Sequence, residues 1–160
     1  MREFKIQDSR FNMKTADIVK EMLEKPYKLG GLKDSFDCFS MFLTFCDKKG
    51  IKLPDEWQAP DRIGTSWTRE NYAERWEQGE GRSEMYEFMH SLGAEVEDVN
   101  YIRENDIVLL AIDMGEDVLF TMPSIYLGNG HLLLVMIETG AIVIPLWAVK
   151  EKIYEVRRIG

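Results

Sequence analysis

The sequence is short of cysteine, histidine and positive charge, and each shortage removes a class of function. Its 160 residues include two cysteines and two histidines. Cys38 and Cys46 fall in one expected helix, roughly 12 Å apart along its axis at about 1.5 Å per residue, which is too far for a disulfide. Structural zinc takes four Cys or His ligands at tight local spacing, which this chain lacks, so neither a metal nor a cofactor is expected. Lys and Arg number 20 against 28 Asp and Glu, a formal charge of −8. That balance argues against a binder of nucleic-acid phosphates, the only basic cluster being Arg157-Arg158. No apolar run approaches the roughly 18 to 20 residues that cross a bilayer, so no membrane insertion is expected. The opening "MREFKIQDSRFN" lacks the apolar core of a signal peptide, which points to synthesis in the cytoplasm.

Low-complexity tracts and internal repeats are also missing, and the length suits one compact domain over residues 1–160. "TADIVKEMLEK" predicts a helix with Thr15 as N-cap and Ile18, Val19, Met22 and Leu23 on one face, stopped by Pro26. "CFSMFLTFCDKKG" predicts a second helix of another kind. Phe39, Met41, Phe42, Leu43, Phe45 and Cys46 point all round it, so it must be buried on most sides, with Gly50 as its stop. Residues from about 57 to 104 read as a polar, insertion-like segment with two helical patterns, "TRENYAERWEQG" and "SEMYEFMHSLG". The second is capped by Ser83 and closed by Gly93. From Asp106 onward, "DIVLLAI", "DVLFTM", "SIYLG", "HLLLVMI" and "AIVIPL" read as strands between "DMGE", "GNG" and "ETG" turns. Helices followed by an antiparallel meander make the class α+β.

Cys38 opens the second helix, where unpaired N–H groups and the macrodipole favour a thiolate, so its pKa is expected to fall. The other reading is a small buried hydrophobe, as expected of Cys46 deeper in the same helix. A cysteine nucleophile needs a base and an orienting group. His90, near the end of a helix, reads as a surface or capping residue; His131, after the "GNG" turn, reads as a solvated turn neighbour. The carboxylates offer no pair spaced for acid and base roles, and Gly30-Gly31 lacks the rest of a phosphate loop. Trp57, Trp67, Trp76 and Trp147 read as packing or interface residues.

The segment "PYKLGG…FDCFSMFLTFCDKKGIKLP" resembles the NlpC-type cell-wall peptidases, papain-like cysteine hydrolases that cut peptidoglycan stem peptides. In that family it runs Pro-Tyr-x-x-Gly-Gly, then Asp-Cys at a helix start, then Gly-Ile-x-Leu-Pro. Tyr27, Gly30, Gly31, Asp37, Cys38, Gly50 and Pro54 match. "NDIVLLA" resembles the family's Gly-Asp-hydrophobic strand, and "SIYLGNG" resembles the strand and turn after its catalytic histidine. The resemblance spans most of residues 15 to 147. It implies a papain-like NlpC-type fold, with Cys38 at the nucleophile position and Tyr27 at the active-site tyrosine position.

Two positions depart from the family. Its His-x-x-Ile-Tyr-Leu-Gly-Asn-Gly becomes "MPSIYLGNG", which puts Met122 at the base position, and the third polar residue falls on Leu134 or its neighbour Val135. Removing the base from a comparable triad lowers turnover on the order of a millionfold. The resemblance therefore implies a degenerate, peptidase-like domain with a structural or binding role. The alternative is an active cysteine peptidase or amidase, with the base supplied by His90, His131 or a partner chain; in a third reading Cys38 and Tyr27 only pack. The long insertion and the closing "PLWAVKEKIYEVRRI" look most like versions carried at bacteriophage tail tips. That likeness implies a place in the virion, other tail proteins as partners, and peptidoglycan peptide as a ligand.

Overall fold

A computed structural model of the chain describes residues 14–23, 25–29, 31, 34–53, 89–113 and 119–159. Helix α1 spans Thr15–Met22 and buries Thr15, Ile18 and Met22. The expected cap is corrected here: Lys14 is the N-cap, without a side-chain bond, and Thr15 is already helical. Its buried hydroxyl instead donates to Asn105 Oδ1 at 3.0 Å, tying α1 to the turn before the sheet. Helix α2, Cys38–Lys49, is capped at both ends by local chemistry. Asp37 accepts the Ser40 N–H at 2.6 Å, and Ser40 Oγ accepts the Asp37 N–H at 2.9 Å, a reciprocal capping box. Gly50 closes the helix with φ 79°, a left-handed conformation that glycine adopts without steric cost.

Six strands form one sheet in the order β1-β6-β2-β3-β4-β5: Ala94–Glu95, Ile153–Arg158, Ile107–Asp113, Leu119–Gly128, His131–Met136 and Gly140–Pro145. Strands β2 to β5 make the expected meander. Two features differ from expectation. Strands β1 and β6 extend the sheet beyond β2, so the end of the 57–104 segment joins the sheet. In addition, "LFTM" of the first pattern and "SIYLG" form one strand, β3, which runs straight through Pro123.

Backbone direction explains why proline is tolerated there. Tyr126 exchanges hydrogen bonds with Asn105 and Asp106 on the β2 side, so by alternation Pro123 turns its backbone toward β4. There it has no N–H to give. The β3–β4 ladder accordingly ends at Ile125↔Leu133, whereas β2 pairs β3 through Pro123 to Asp113↔Leu119.

The two faces of the sheet carry separate cores. Ile107, Leu109, Ile125, Leu133 and Val135 pack with Ile18 and Met22 of α1 and with Phe39, Phe42 and Phe45 of α2. Val108, Leu110, Leu132, Leu134 and Val156 face the other way, under Ile102 and under Leu146 and Val149 of a 3-10 helix, Leu146–Lys152.

Asp106, the aspartate of "NDIVLLA", is buried and holds these parts together. It accepts the Arg103 N–H at 2.8 Å and a forked pair from Arg158 at 2.8 and 2.7 Å. Asp106→Ala should lower the unfolding free energy by about 2 to 4 kcal/mol, because donors that faced a buried carboxylate lose it. Urea titration beside the wild type measures this.

Candidate functional site

The loop before α2 folds back on itself. Phe36 N–H donates to Pro26 O and Lys28 N–H donates to Phe36 O, both at 3.0 Å, and Tyr27 and Phe36 form a parallel bridge. Lys25 O accepts the Ala141 N–H at 3.0 Å, docking the loop on the start of β5. Gly140 pairs with Met136, the last residue of β4. This is the end of the sheet at which the β3–β4 ladder has opened. Tyr27, Cys38, Met122 and Leu134 thus belong to one end of the molecule.

They do not share one face. Tyr27 packs with the helix-side core, and Cys38 begins the helix lying on that face. Met122 and Leu134 pack with Val108, Leu110 and Leu132 on the opposite face, and Leu134 is 1% exposed. Side-chain alternation forces this outcome once Ile125 and Leu133 point toward α2.

The thiol also differs from expectation. Cys38 is half-buried as a residue, yet burial of the thiol, and then the negative charge of Asp37, push its pKa well above the usual thiol range. Backbone N–H groups of Cys38 and Phe39 act in the lowering direction and are outweighed. The same helix start that supplies those donors places the Asp37 carboxylate beside the thiol. Desolvation and a like charge therefore defeat the helix-terminus effect.

His90 is not the surface or capping residue its position suggested. Its side chain is 12% exposed, with Nδ1 2.7 Å from Glu155 Oε2 and Nε2 2.9 Å from Thr121 Oγ1. The ring meets Tyr154 edge-on at 5.4 Å. Glu155 pairs with Leu109 across β6–β2, and Thr121 stands four residues before Ile125, so both lie on the helix-bearing face. A carboxylate–imidazole–hydroxyl chain thus spans β6 and β3 on the same face as α2. Glu155 is also 3.5 Å from Arg157 Nη1, and Arg157 Nε donates to Leu92 O at 2.7 Å, fastening residues 90–93 to β6. His131 is exposed at the hairpin end of β4, as expected.

The "TRENYAERWEQG" helix, most of "SEMYEFMHSLG" with its Ser83 cap, Gly30, Pro54 and Trp57, Trp67 and Trp76 lie outside the described residues. Trp147 is 79% exposed. Among the described residues no cluster of three or more His, Cys, Asp or Glu side chains is placed to hold a metal, and no helix is long and apolar enough to cross a membrane.

No protein-family model and no curated protein matches the sequence. Solved structures do match. An NlpC/P60 family protein from Bacillus cereus ATCC 10987 aligns over 91% of this chain and 39% of its own, with 20% identity and a TM-score of 0.57. NlpC1 from Trichomonas vaginalis aligns over 89% and 42%, at 19% identity and TM-score 0.62. NlpC2 from the same organism aligns over 89% and 44%, at 17% identity and TM-score 0.59. The chain spans roughly two-fifths of the length of each of these proteins. Helices packed on one face of an antiparallel sheet, a cysteine opening the capped, buried helix and these three neighbours together establish an NlpC/P60-type α+β fold.

Proposed function

We propose that the chain is a catalytically silent NlpC-type domain that serves as a structural or binding component. In this reading it holds a peptide of the peptidoglycan stem type at the Tyr27–Cys38 end without cutting it. One observation carries the proposal: the hydrogen bonds of His90 run to Glu155 and Thr121, and His131 is exposed at a hairpin. A thiol whose pKa is pushed up by burial and by Asp37, with no imidazole bonded to it, is poorly placed for the first step of thiolate attack. The bacteriophage tail tip is the proposed setting, on the likeness of the insertion and the closing segment, with other tail proteins as partners.

Titrating isotope-labelled protein with a stem tetrapeptide tests the binding role. Shifts confined to Tyr27, Phe36 and Cys38, with the peptide recovered intact, are expected; a spectrum unmoved at millimolar peptide would remove it. Mass spectrometry of purified phage particles tests the setting, and a particle without the chain would contradict it.

A second reading, a working cysteine peptidase or amidase, draws on the placement of His90 and Glu155 on the face that carries α2. The two readings part at His90→Ala. The silent domain loses only stability, about 2 kcal/mol for leaving Thr121 and Glu155 without their partner. A working enzyme would lose turnover on the order of a thousandfold or more while remaining folded.

A further inference from the structure

The hairpin between β3 and β4, Gly128-Asn129-Gly130, lies at the opposite end of the sheet from Tyr27 and Cys38 and plays no part in the site. It carries the reactants of a covalent modification. Asn129 is exposed with φ 53°, and Gly130 follows with φ 78°. An asparagine followed by glycine offers its side-chain amide to a backbone nitrogen with the least steric hindrance, since glycine has no Cβ. In the reaction, the Gly130 nitrogen gives its proton to water or hydroxide and bonds to Asn129 Cγ. The Cγ–Nδ2 bond then breaks, and Nδ2 takes one proton from water and leaves as ammonia. Water opens the resulting succinimide at either carbonyl, giving aspartate or isoaspartate. No redox partner is consumed.

The fold restrains that nitrogen. The Gly130 N–H donates to the Tyr126 hydroxyl at 2.9 Å, and Gly130 O accepts the Leu146 N–H at 2.7 Å. Tyr126 is half-buried and packs with the core on the face opposite α2, so its phenol is anchored. To attack Cγ, the nitrogen must give up the proton it shares with Tyr126 and leave the left-handed turn. We propose that Asn129 is a deamidation site and that the Tyr126 hydroxyl holds it closed. Isoaspartate would add a methylene to the backbone of a turn whose flanking pair is Gly128↔His131. It would also add a negative charge and disturb the Leu146 bond that starts the 3-10 helix.

The test incubates the full chain, folded, at physiological temperature and mildly alkaline pH. Conversion at Asn129 is read by peptide mass spectrometry and by enzymatic isoaspartate methylation. Tyr126→Phe should convert roughly three- to tenfold faster than the wild type, the factor that corresponds to one backbone hydrogen bond. In concentrated urea both should convert at one faster rate. Asp37→Ala, which weakens α2 far from the turn, should stay at the folded wild-type rate. Equal rates in folded wild type and Tyr126→Phe would overturn the proposal. So would an Asp37→Ala rate matching Tyr126→Phe, since global opening would then be the route.

Discussion

Iodoacetamide should alkylate Cys38 in the folded protein at least about a hundredfold more slowly, at mildly alkaline pH, than a cysteine in an unstructured peptide. The thiolate is the reacting species, and burial together with Asp37 raises the thiol pKa above its ordinary value of 9.0, which favours the neutral thiol at mildly alkaline pH. The same displacement ties stability to alkaline pH. The folded pKa lies above the unfolded one, so the contribution of the neutral thiol is fully present below about pH 9. It is lost as pH rises through the window above that, at up to about 1.4 kcal/mol per pH unit. Cys38→Ala should flatten that part of the stability profile. Urea melts at a series of alkaline pH values, wild type beside variant, measure the difference. Fast alkylation at neutral pH, or identical alkaline profiles, would show that the helix terminus outweighs burial after all.

Gly140→Ala should cost about 3 to 5 kcal/mol, and its effect should reach Tyr27. Gly140 has φ 73°, where an L side chain is strained, and a Cβ there would overlap the Lys25 carbonyl. Relief requires the Lys25–Pro26 backbone to move off β5, which breaks the Ala141 N–H to Lys25 O bond. The loop that carries Tyr27 would then lose its dock. Denaturant midpoints should fall, and hydrogen exchange should accelerate at Ala141 and Lys28 before it does in β2. Gly128→Ala is the informative comparison, since its φ of 90° is strained too but the nearest atom to an added Cβ, Glu104 Cβ, is 4.0 Å away. It should cost less and leave the loop docked.

What was legible in the sequence was what neighbours along the chain decide. Gly50 closes α2 where its stop was expected, and the all-round apolar pattern of that helix foretold its burial; the Asp37–Ser40 capping box is as local but was not read. The "GNG" and "ETG" turns and strands β2, β4 and β5 follow from alternation and glycine placement in the same way. What was not legible depends on partners distant in sequence. In "IYEVRR" only Val156 is buried, so β6 lacks an apolar stripe and is placed instead by pairing with β2 and by Arg158 on Asp106. The two strand patterns stopped on either side of Pro123, but only the strand on one side of it needed the missing N–H. His90 meets Thr121 across 31 residues and Glu155 across 65, and without β6 in view nothing in its surroundings marks it.

The site followed the same division. The cysteine at a helix start was visible, whereas its protonation depends on how deeply the thiol is buried. That Met122 and Leu134 face away from α2 depends on the phase of β3 and β4, and a one-residue slip would reverse it. A histidine installed at residue 122 is therefore expected on the face opposite α2, with the cluster of Val108, Leu110 and Leu132.

The most direct measurement is hydrolysis of purified peptidoglycan stem peptides by wild type, Met122→His, His90→Ala and Cys38→Ala, followed by mass spectrometry. No cleavage by any of the four is expected, with the peptide still bound by the wild type. Cleavage by the wild type that disappears in Cys38→Ala would contradict the silent domain, and cleavage gained in Met122→His would contradict the placement of residue 122.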